Sequence, residues 1–281
     1  MNSWASVDPD SSADESGQVS TGDESRLAAE AVLAEQLRHA LVSGELTAHY
    51  QPQHDLASGR IVAIEALCRW WHPELGLLLP ERFIHVAEQH GLISEVDRFM
   101  LDEAGRRAVD WNRRGARLGM SVNVSPSELT RDFAERLLTR LRSLELPHRT
   151  LTVEITESPE IPFSHEEVFA LHTLIDGGVG VSVDDFGVGQ ASLELVKRLP
   201  LTEVKIDKSL VQNDARSIDN LVRACVEVAR ERGATIVAEG IETQEHFERA
   251  MRWTCERGQG YYFSPPLPLR EIESLVLAPL S

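Results

Sequence analysis

Residues 203–240, EVKIDKSLVQNDARSIDNLVRACVEVARERGATIVAEG, contain the pattern of a strand, a helix and a second strand. The strand-like runs are Glu203–Ile206 and Thr235–Ala238. Between them, apolar residues recur every three or four positions across Ser217–Arg232, and Gly233 follows as a helix stop. Two buried-type strands joined by an amphipathic helix predict a parallel pair of strands with the helix packed outside them.

The same alternation of strand-like and helical patterns runs through most of the chain. Further strands are expected at Leu46–Gln53, Ile61–Trp70, Met120–Val124, Leu151–Ile155 and Val179–Val183, and further helices at about 27–42, 80–90 and 95–112. The first two of these strands are joined by a turn at Ser58-Gly59, which is typical of an antiparallel pair. About eight strands in this order predict an α/β fold, a TIM-type (β/α)8-like barrel with an irregular, antiparallel first strand pair.

Composition narrows the class of protein. The chain has 281 residues, 42% of them hydrophobic, and a formal net charge of −17. Such an acidic protein repels a polyanionic duplex, so no nucleic acid polymer is expected as a partner. Residues 1–25 are rich in Ser, Asp, Glu and Gly and contain little apolar surface, which predicts a disordered tail before a single domain at 26–281.

The number of cysteines and the lengths of the apolar runs bear on the cellular compartment of the protein. Cys68, Cys225 and Cys255 are an odd number without paired spacing, which favours a reducing environment, and Cys225 lies on the apolar stripe of its helix as a core residue. No signal peptide and no membrane-spanning run of apolar residues is recognisable. A cytoplasmic protein without a membrane partner is therefore expected.

Polar side chains stand at the carboxyl ends of six predicted strands. They are Glu65, Asn123, Glu154, Asp184 with Asp185, Lys205 with Asp207, and Glu239. A single acid at a strand end is usually a helix cap or a turn residue, but the strand ends of a parallel barrel meet on one face, where active sites are built. Carboxylates that face one another need a counter-charge, and Mg²⁺ or Mn²⁺ suits oxygen ligands better than zinc does. Two adjacent acids could serve two ions, with Asp184 as the bridge.

At these residues the chain resembles a known family. Residues 64–70 read Ile-Glu-Ala-Leu-Cys-Arg-Trp, which is similar to the signature that gives EAL-domain cyclic di-GMP phosphodiesterases their name. Seven further motifs match in order and spacing: Tyr50-Gln51-Pro52, residues 121–125, 154–158 and 184–187, Lys205-Ile206-Asp207, residues 238–242, and Gln259-Gly260-Tyr261. The resemblance covers about residues 36–270. It implies hydrolysis of cyclic di-GMP to linear pGpG, which lowers the level of a bacterial second messenger.

The resemblance also implies metal-binding and catalytic roles. The metal ligands would be Glu65, Asn123, Glu154, Asp184 and Asp185, with Asp184 shared between two Mg²⁺ or Mn²⁺ ions. Lys205 would hold the attacking water and favour its deprotonation. Glu239 would be either the general base or a ligand of the second metal ion, and both roles remain open.

Substrate-binding and supporting roles follow from the same resemblance. The substrate contacts would be Gln51, Arg69 and Gln259. A guanidinium can hydrogen-bond a phosphate through two N–H groups, which gives Arg69 a physical reason for its place. Glu157 and Glu242 would anchor the loop after Asp185, and Asp207 would be a site residue of undefined role.

The sequence departs from the family pattern after Phe186-Gly187. The family usually continues with Thr-Gly-Tyr-Ser-Ser, whereas this chain has Val188-Gly189-Gln190-Ala191-Ser192, and Pro265 stands where a basic residue is usual. Since this loop orders the second metal site and shapes a dimer contact in the family, the departure bears on metal affinity, turnover rate and the formation of a homodimer. A domain that binds cyclic di-GMP or a protein partner without turnover is the alternative, but such domains normally lack one or more of the acids.

Overall fold

The computed structural model describes residues 21–156, 163–187 and 193–277. Its strands are β1 (Leu46–Asp55), β2 (Ile61–His72), β3 (Gly76–Leu78), β4 (Gly119–Asn123), β5 (Leu151–Thr156), β6 (Gly180–Phe186), β7 (Glu203–Ile206), β8 (Thr235–Ala238), β9 (Arg257–Gly258) and β10 (Leu267–Pro268). Its α-helices are α1 (Thr21–Ser43), α2 (Ile84–Gln89), α3 (Ile93–Arg113), α4 (Arg131–Ser143), α5 (His165–Asp176), α6 (Leu193–Arg198), α7 (Lys208–Val211), α8 (Arg216–Glu231), α9 (Gln244–Arg252) and α10 (Leu269–Val276). Short 3-10 helices lie at Pro80–Arg82 and Pro126–Glu128.

Eight strands close into a barrel, which confirms the predicted fold class. Around the barrel the order is β1, β9, β8, β7, β6, β5, β4, β2, and β2 returns to β1. Strand β1 runs antiparallel to both of its barrel neighbours, while the other neighbouring pairs are parallel. The first strand pair is therefore antiparallel, as expected, and its register shifts between Gln53 and His54.

Helices cover the outside of the barrel, and α8 shows how an apolar stripe attaches a helix to the strands. On α8, the stripe seen in the sequence is the buried face and consists of Val222, Cys225, Val226 and Ala229. Burying an aliphatic side chain of this size contributes about 1.5–3 kcal/mol, so the stripe fixes α8 against the strands. Cys225 is accordingly a core residue.

Two helix boundaries differ from the sequence-based expectation. Helix α1 begins at Thr21, inside the segment predicted to be a tail, although residues 21–26 contain no apolar residue that could signal a helix. The helix predicted over 80–90 is divided into the 3-10 turn Pro80–Arg82 and the short α2. Residues 1–20, most of the predicted tail, lie outside the described residues. In the described part of the chain, no helix combines the length and apolarity that a membrane crossing needs.

The parallel register brings the strand ends to one face of the barrel. Asn123 pairs with Glu154, and Asp184 pairs with Thr156 at the end of the neighbouring strand. Between β6 and β7 the register shifts at Val183–Phe186, so the two acids at the end of β6 leave the regular ladder. Irregular pairing of this kind re-aims side chains beside functional sites.

Candidate functional site

A buried lysine lies at the centre of the acids that the sequence predicts to converge. The Nζ atom of Lys205 is 2.8 Å from Glu239 Oε1, 3.0 Å from Glu154 Oε2, 3.1 Å from Asp184 Oδ1 and 3.4 Å from Glu65 Oε1. The lysine itself is fully buried. One ammonium therefore faces four carboxylates, which leaves the cluster with an excess of negative charge.

The pKa values of the cluster reflect that imbalance. Burial, added to the charge of the neighbouring acids, raises the pKa of Glu154 and of Glu239 well above the usual range and raises the pKa of Asp184. Burial acts on Glu65 in the same direction, but the Lys205 ammonium and hydrogen bonds outweigh it and lower the pKa of this carboxyl. Without further positive charge, the acids cannot all stay ionised.

Lys205 is held in its charged form. Burial alone would lower the pKa of this ammonium, but the adjacent carboxylates, with Asp184 and Glu154 first, raise it well above the usual value. A buried charge surrounded in this way is costly to leave unpaired. Lys205 therefore serves as a permanent cation within the cluster.

The carboxylates form two groups that could each hold a metal ion. Ligand atoms of Glu65, Glu154 and Asp184 lie within 4.8 Å of one another, and so do those of Asp184, Asp185 and Glu239. Asp184 belongs to both groups, which agrees with the bridging position inferred from the sequence. All donors are hard oxygens, and this is the donor set that Mg²⁺ and Mn²⁺ prefer.

Two further observations fit a metal ion at this place. The buried Oε1 atom of Glu154 has no hydrogen-bond partner among the described residues, so it is free to coordinate. Asn123 lies beside the same group, because its Nδ2 donates to Glu65 Oε1 at 3.2 Å and to Glu154 Oε2 at 3.4 Å. The residues present therefore fit a divalent cation.

Asp185 has an unusual backbone conformation. Its φ is 56°, in the left-handed region that few non-glycine residues adopt. Its backbone N–H donates to Asp184 Oδ1 at 3.0 Å, which ties the two neighbouring acids together. Burial together with the charges of Asp184 and Asp207 raises the pKa of Asp185 to about 6. Backbone strain of about 1–3 kcal/mol is typical of residues held in place for function.

A large cavity opens directly over the acidic cluster. Its volume is about 790 Å³, which is ordinary for a small-molecule site. The three residues expected to contact a substrate, Gln51, Arg69 and Gln259, all line it. Arg69 is buried, and its Nη1 donates to the carbonyl oxygen of Cys68 at 2.8 Å. The charges of Glu81 and Glu65 act on it, but in the described part of the chain it forms no ion pair, so this guanidinium can receive an anionic ligand.

The two glutamines are already engaged within the protein. Gln259 Nε2 donates to Glu65 Oε2 and to Glu239 Oε1, both at 2.7 Å, which fixes it over the acids. Gln51 Nε2 donates to the carbonyl oxygen of Ser264 at 3.3 Å. Gln259 therefore organises the acidic cluster, a contact that the sequence did not predict.

The residues expected to support the site lie in different surroundings. Asp207 is buried and caps α7, accepting the Ser209 N–H on its Oδ1 at 2.8 Å. Glu242 lines the cavity and is exposed. Glu157 and residues 188–192, which include Val188 and Gln190, lie outside the described residues, so the anchoring of that loop stays a prediction.

One wall of the cavity contains a residue that the sequence analysis missed. Asp97 is buried on α3, lines the cavity and accepts the Ser125 N–H on Oδ2 at 2.9 Å. Burial, with the charges of Glu128 and Glu88, raises its pKa to about 7. The available signal was an acid on the apolar stripe of a helix, between Val96 and Met100. The wall also includes Leu79, Glu81, Ile84, His85 and Glu88 around α2, and Tyr261 stands exposed at the rim.

The fold and the site together define the class: a (β/α)8-type barrel domain with a cluster of oxygen donors that fits a divalent cation around a buried lysine. The sequence model of the EAL domain matches residues 34–266. The chain therefore belongs to the EAL domain family, as the motifs predicted.

Curated relatives support this assignment over most of the chain. The oxygen sensor protein DosP of Escherichia coli is 37% identical over 245 residues, which are 86% of this chain and 31% of DosP. The cyclic di-GMP phosphodiesterase NbdA of Pseudomonas aeruginosa is 36% identical, over 90% of this chain and 33% of NbdA. The bifunctional diguanylate cyclase/cyclic di-GMP phosphodiesterase MucR of the same species is 37% identical, over 85% of this chain and 36% of MucR. The chain thus spans about a third of the length of these relatives.

Solved structures share the fold. The phosphodiesterase PaMucR in complex with c-di-GMP has a TM-score of 0.78 and 35% identity, over 86% of this chain and 99% of that one. The EAL enzyme Bd1971, bound to cAMP and cyclic-di-GMP, has a TM-score of 0.83 and 27% identity, over 91% of this chain and 70% of that one.

Proposed function

We propose that this domain is a metal-dependent phosphodiesterase that hydrolyses one phosphodiester bond of cyclic di-GMP and releases linear pGpG. The observation that carries the proposal is the complete set of acids around Lys205 at the base of the cavity. Relatives that match most of the chain are named cyclic di-GMP phosphodiesterases, and a structural neighbour is a c-di-GMP complex, which supports the choice of substrate.

Two Mg²⁺ or Mn²⁺ ions bound here would stabilise the charges that develop on the entering and leaving oxygens of the phosphodiester. Glu65, Asn123, Glu154 and Asp184 would hold the first ion. Asp185 would hold the second, sharing Asp184. The raised pKa values of Asp184, Asp185 and Glu154 favour this arrangement, because bound cations would supply the positive charge that the cluster lacks.

Lys205 would orient the attacking water from within the cluster. Its ammonium stays charged, so it can donate a hydrogen bond to the water oxygen and favour loss of a water proton. The water oxygen then bonds to phosphorus, one P–O ester bond breaks, and the departing ribose oxygen takes up a proton. Glu239 lies 2.8 Å from the ammonium and belongs to the second acidic group, so both roles, base and metal ligand, fit its position.

The cavity would orient the substrate by charge. Arg69 lines the cavity, forms no ion pair among the described residues, and would bind a phosphate of the dinucleotide. Gln51 and Gln259 line the same cavity and would contact the substrate, while Gln259 also fixes Glu65 and Glu239. We assign Glu157 and Glu242 to the support of the loop after Asp185. Asp207 would stabilise the start of α7 beside the cavity.

The location and the partners of the protein are inferred from its composition and sequence patterns. A cytoplasmic location, a tail before α1 and the absence of a nucleic acid polymer or a membrane as partner are part of the proposal, and a homodimer is compatible with it. To test the activity, purified protein is incubated with cyclic di-GMP and Mg²⁺ in ¹⁸O-labelled water. The proposal predicts pGpG with one ¹⁸O atom in its terminal phosphate. Tight binding of cyclic di-GMP without any product would identify a binding domain instead.

A further inference from the structure

The barrel interior directly below the acidic site is unusual in its chemistry. Side chains alternate along a strand, so the residue two positions from a site residue also points into the barrel interior. Each of the eight strands contributes one such side chain to this lower layer. This lower layer consists of Gln53, Ala63, Ser121, Thr152, Ser182, Glu203, Val237 and Arg257. Bulky Val, Ile and Leu side chains normally fill a TIM-type barrel at this level. Here six of the eight side chains are polar.

Several polar atoms of the lower layer have no hydrogen-bond partner within the described part of the chain. Gln53 is fully buried, and neither its Nε2 nor its Oε1 is bonded. The hydroxyls of Ser121 and Ser182, which are 3% and 0% exposed, are also unpaired. Glu203 is paired on one side only: its Oε2 accepts from Arg257 Nη1 at 3.0 Å, while Oε1 has no partner.

These atoms are expected to bind something, since a buried polar group without a partner costs about 1–3 kcal/mol in proteins, and five such atoms occur together. They come from four strands around the barrel. The Ser182 hydroxyl lies close enough to the Glu203 carboxylate to offset part of the rise that burial causes in the pKa of that group. The chemistry of the set identifies the occupant. Gln53 Nε2 is a donor, Glu203 Oε1 is an acceptor, and a serine hydroxyl can act as either.

The positive N–H groups of Gln53 and Arg257 would repel a metal cation. The Glu203 carboxylate would repel an anion. Water satisfies donors and acceptors alike, and buried waters typically make about three hydrogen bonds each.

We propose that the lower layer of the barrel binds a cluster of internal water molecules, held by Gln53, Ser121, Ser182 and Glu203, directly beneath the acidic site. Ser182 lies two residues before Asp184 on β6, and Glu203 lies two residues before Lys205 on β7. The cluster therefore surrounds the base of the charged groups with polar partners. Such surroundings reduce the cost of keeping Lys205 and its carboxylates charged inside the barrel.

A crystal structure of the full chain at high resolution tests the proposal directly. We expect ordered waters in the lower layer, each within hydrogen-bond distance of at least two of the five unpaired atoms. Direct hydrogen bonds from Gln53 and from Ser121 to other side chains of the layer, with no water between them, would overturn the proposal. The proposal would also be overturned if a density peak in this layer were coordinated only by oxygen atoms and changed in height when K⁺ replaced Na⁺. That result would indicate a monovalent cation instead of water.

Thermal unfolding of two variants gives an independent test. The unfolding midpoint should fall if water is bound in the lower layer and should rise if the polar groups there have no partner. If water bonds Gln53, then Gln53→Leu removes those hydrogen bonds and lowers the unfolding midpoint, by about 2–4 °C for each kcal/mol lost. If the amide is truly unpaired, the same change removes a buried polar group and raises the midpoint. Ser182→Ala should shift it in the same direction by a smaller amount.

The exposed residue Gln89 provides the matched control, since Gln89→Leu should leave the unfolding midpoint within about 1 °C of wild type. A rise in the midpoint for both Gln53→Leu and Ser182→Ala would refute the water cluster. These measurements are made without metal ion or nucleotide. Their failure would therefore leave the proposed phosphodiesterase activity untouched, and an inactive protein could still contain the water cluster.

Discussion

Replacement of Lys205 by methionine tests how the acidic site is held together. Methionine keeps most of the length of the side chain and removes the charge, so Glu65, Glu154, Asp184 and Glu239 lose the ammonium that lies 2.8–3.4 Å from them. Breaking a buried ion pair by removing one partner typically costs about 3–5 kcal/mol. We therefore expect the metal-free Lys205→Met protein to unfold about 6–20 °C below wild type near neutral pH.

The pH dependence of that loss has a definite sign. The pKa values of Glu154, Glu239 and Asp184 are already raised in the folded protein, so ionising these groups costs stability as the pH rises from their ordinary values towards the folded ones. Removal of the Lys205 ammonium raises these pKa values further. The deficit of Lys205→Met should therefore be largest at neutral and alkaline pH and should shrink towards about pH 5. Saturating Mg²⁺ should also reduce it.

Two assays separate stability from catalysis. Calorimetric unfolding of wild type and Lys205→Met is measured across pH in EDTA and in Mg²⁺, and steady-state kinetics with cyclic di-GMP gives kcat and KM. If Lys205 orients the attacking water, kcat should fall by at least about 10²-fold while KM changes far less. Lys197→Met, at an exposed position on α6, is the matched control and should resemble wild type. An unchanged midpoint in EDTA, or a normal kcat with a raised KM, would refute this account of Lys205.

Three further predictions concern the metal ligands, the cavity wall and the loop after β6. Glu65→Ala and Asp184→Ala should each abolish turnover because each removes a metal ligand, and wild-type rates in either variant would contradict the metal assignment. The pKa of Asp97 is raised from 3.8 to about 7, so ionising this group costs stability as the pH rises between those values. Above pH 7 the free energy of unfolding of Asp97→Asn should therefore exceed that of wild type, by at most about 4 kcal/mol. Equal stability of the two proteins at pH 8 would contradict the raised pKa. Val188→Thr combined with Gln190→Tyr should lower the Mg²⁺ concentration needed for half-maximal rate, because a Thr hydroxyl can contribute a hydrogen bond worth about 0.5–1.5 kcal/mol to the loop, and identical titration curves would show that the sequence departure is silent.

The sequence predicted the barrel well where strands are buried on both faces. The strands expected at Glu203–Ile206 and Thr235–Ala238 have those bounds in the structure. The second is a short, nearly continuous apolar run, and in the first Val204 and Ile206 alternate with charged residues, which is a strand period. The predicted start of the first helix and the single helix predicted over residues 80–90 were wrong. The sequence of α1 before Leu27 has no apolar period, and the 3-10 turn at Pro80–Arg82 depends on how the chain packs on the barrel.

The acids of the site were predictable because they follow strands, and strand ends of a parallel barrel meet. The contacts between them were not. That Lys205 lies among four carboxylates depends on side-chain directions inside a closed barrel, and so does the bond from Gln259 to Glu239. Asp97 was missed for a similar reason: only the docked α3 shows that this acid faces the cavity and the Ser125 N–H.

Metal-dependent turnover is the most direct test of the central claim. The protein is stripped of metal ions with EDTA, Mg²⁺, Mn²⁺ or Ca²⁺ is added stepwise in the presence of cyclic di-GMP, and the nucleotides are separated by chromatography. A metal-dependent phosphodiesterase should form no pGpG without metal, should form pGpG saturably with Mg²⁺ or Mn²⁺, and should form little with Ca²⁺, which is larger and poorly suited to octahedral sites. Formation of pGpG at the same rate in EDTA, or intact cyclic di-GMP at every Mg²⁺ and Mn²⁺ concentration, would contradict it.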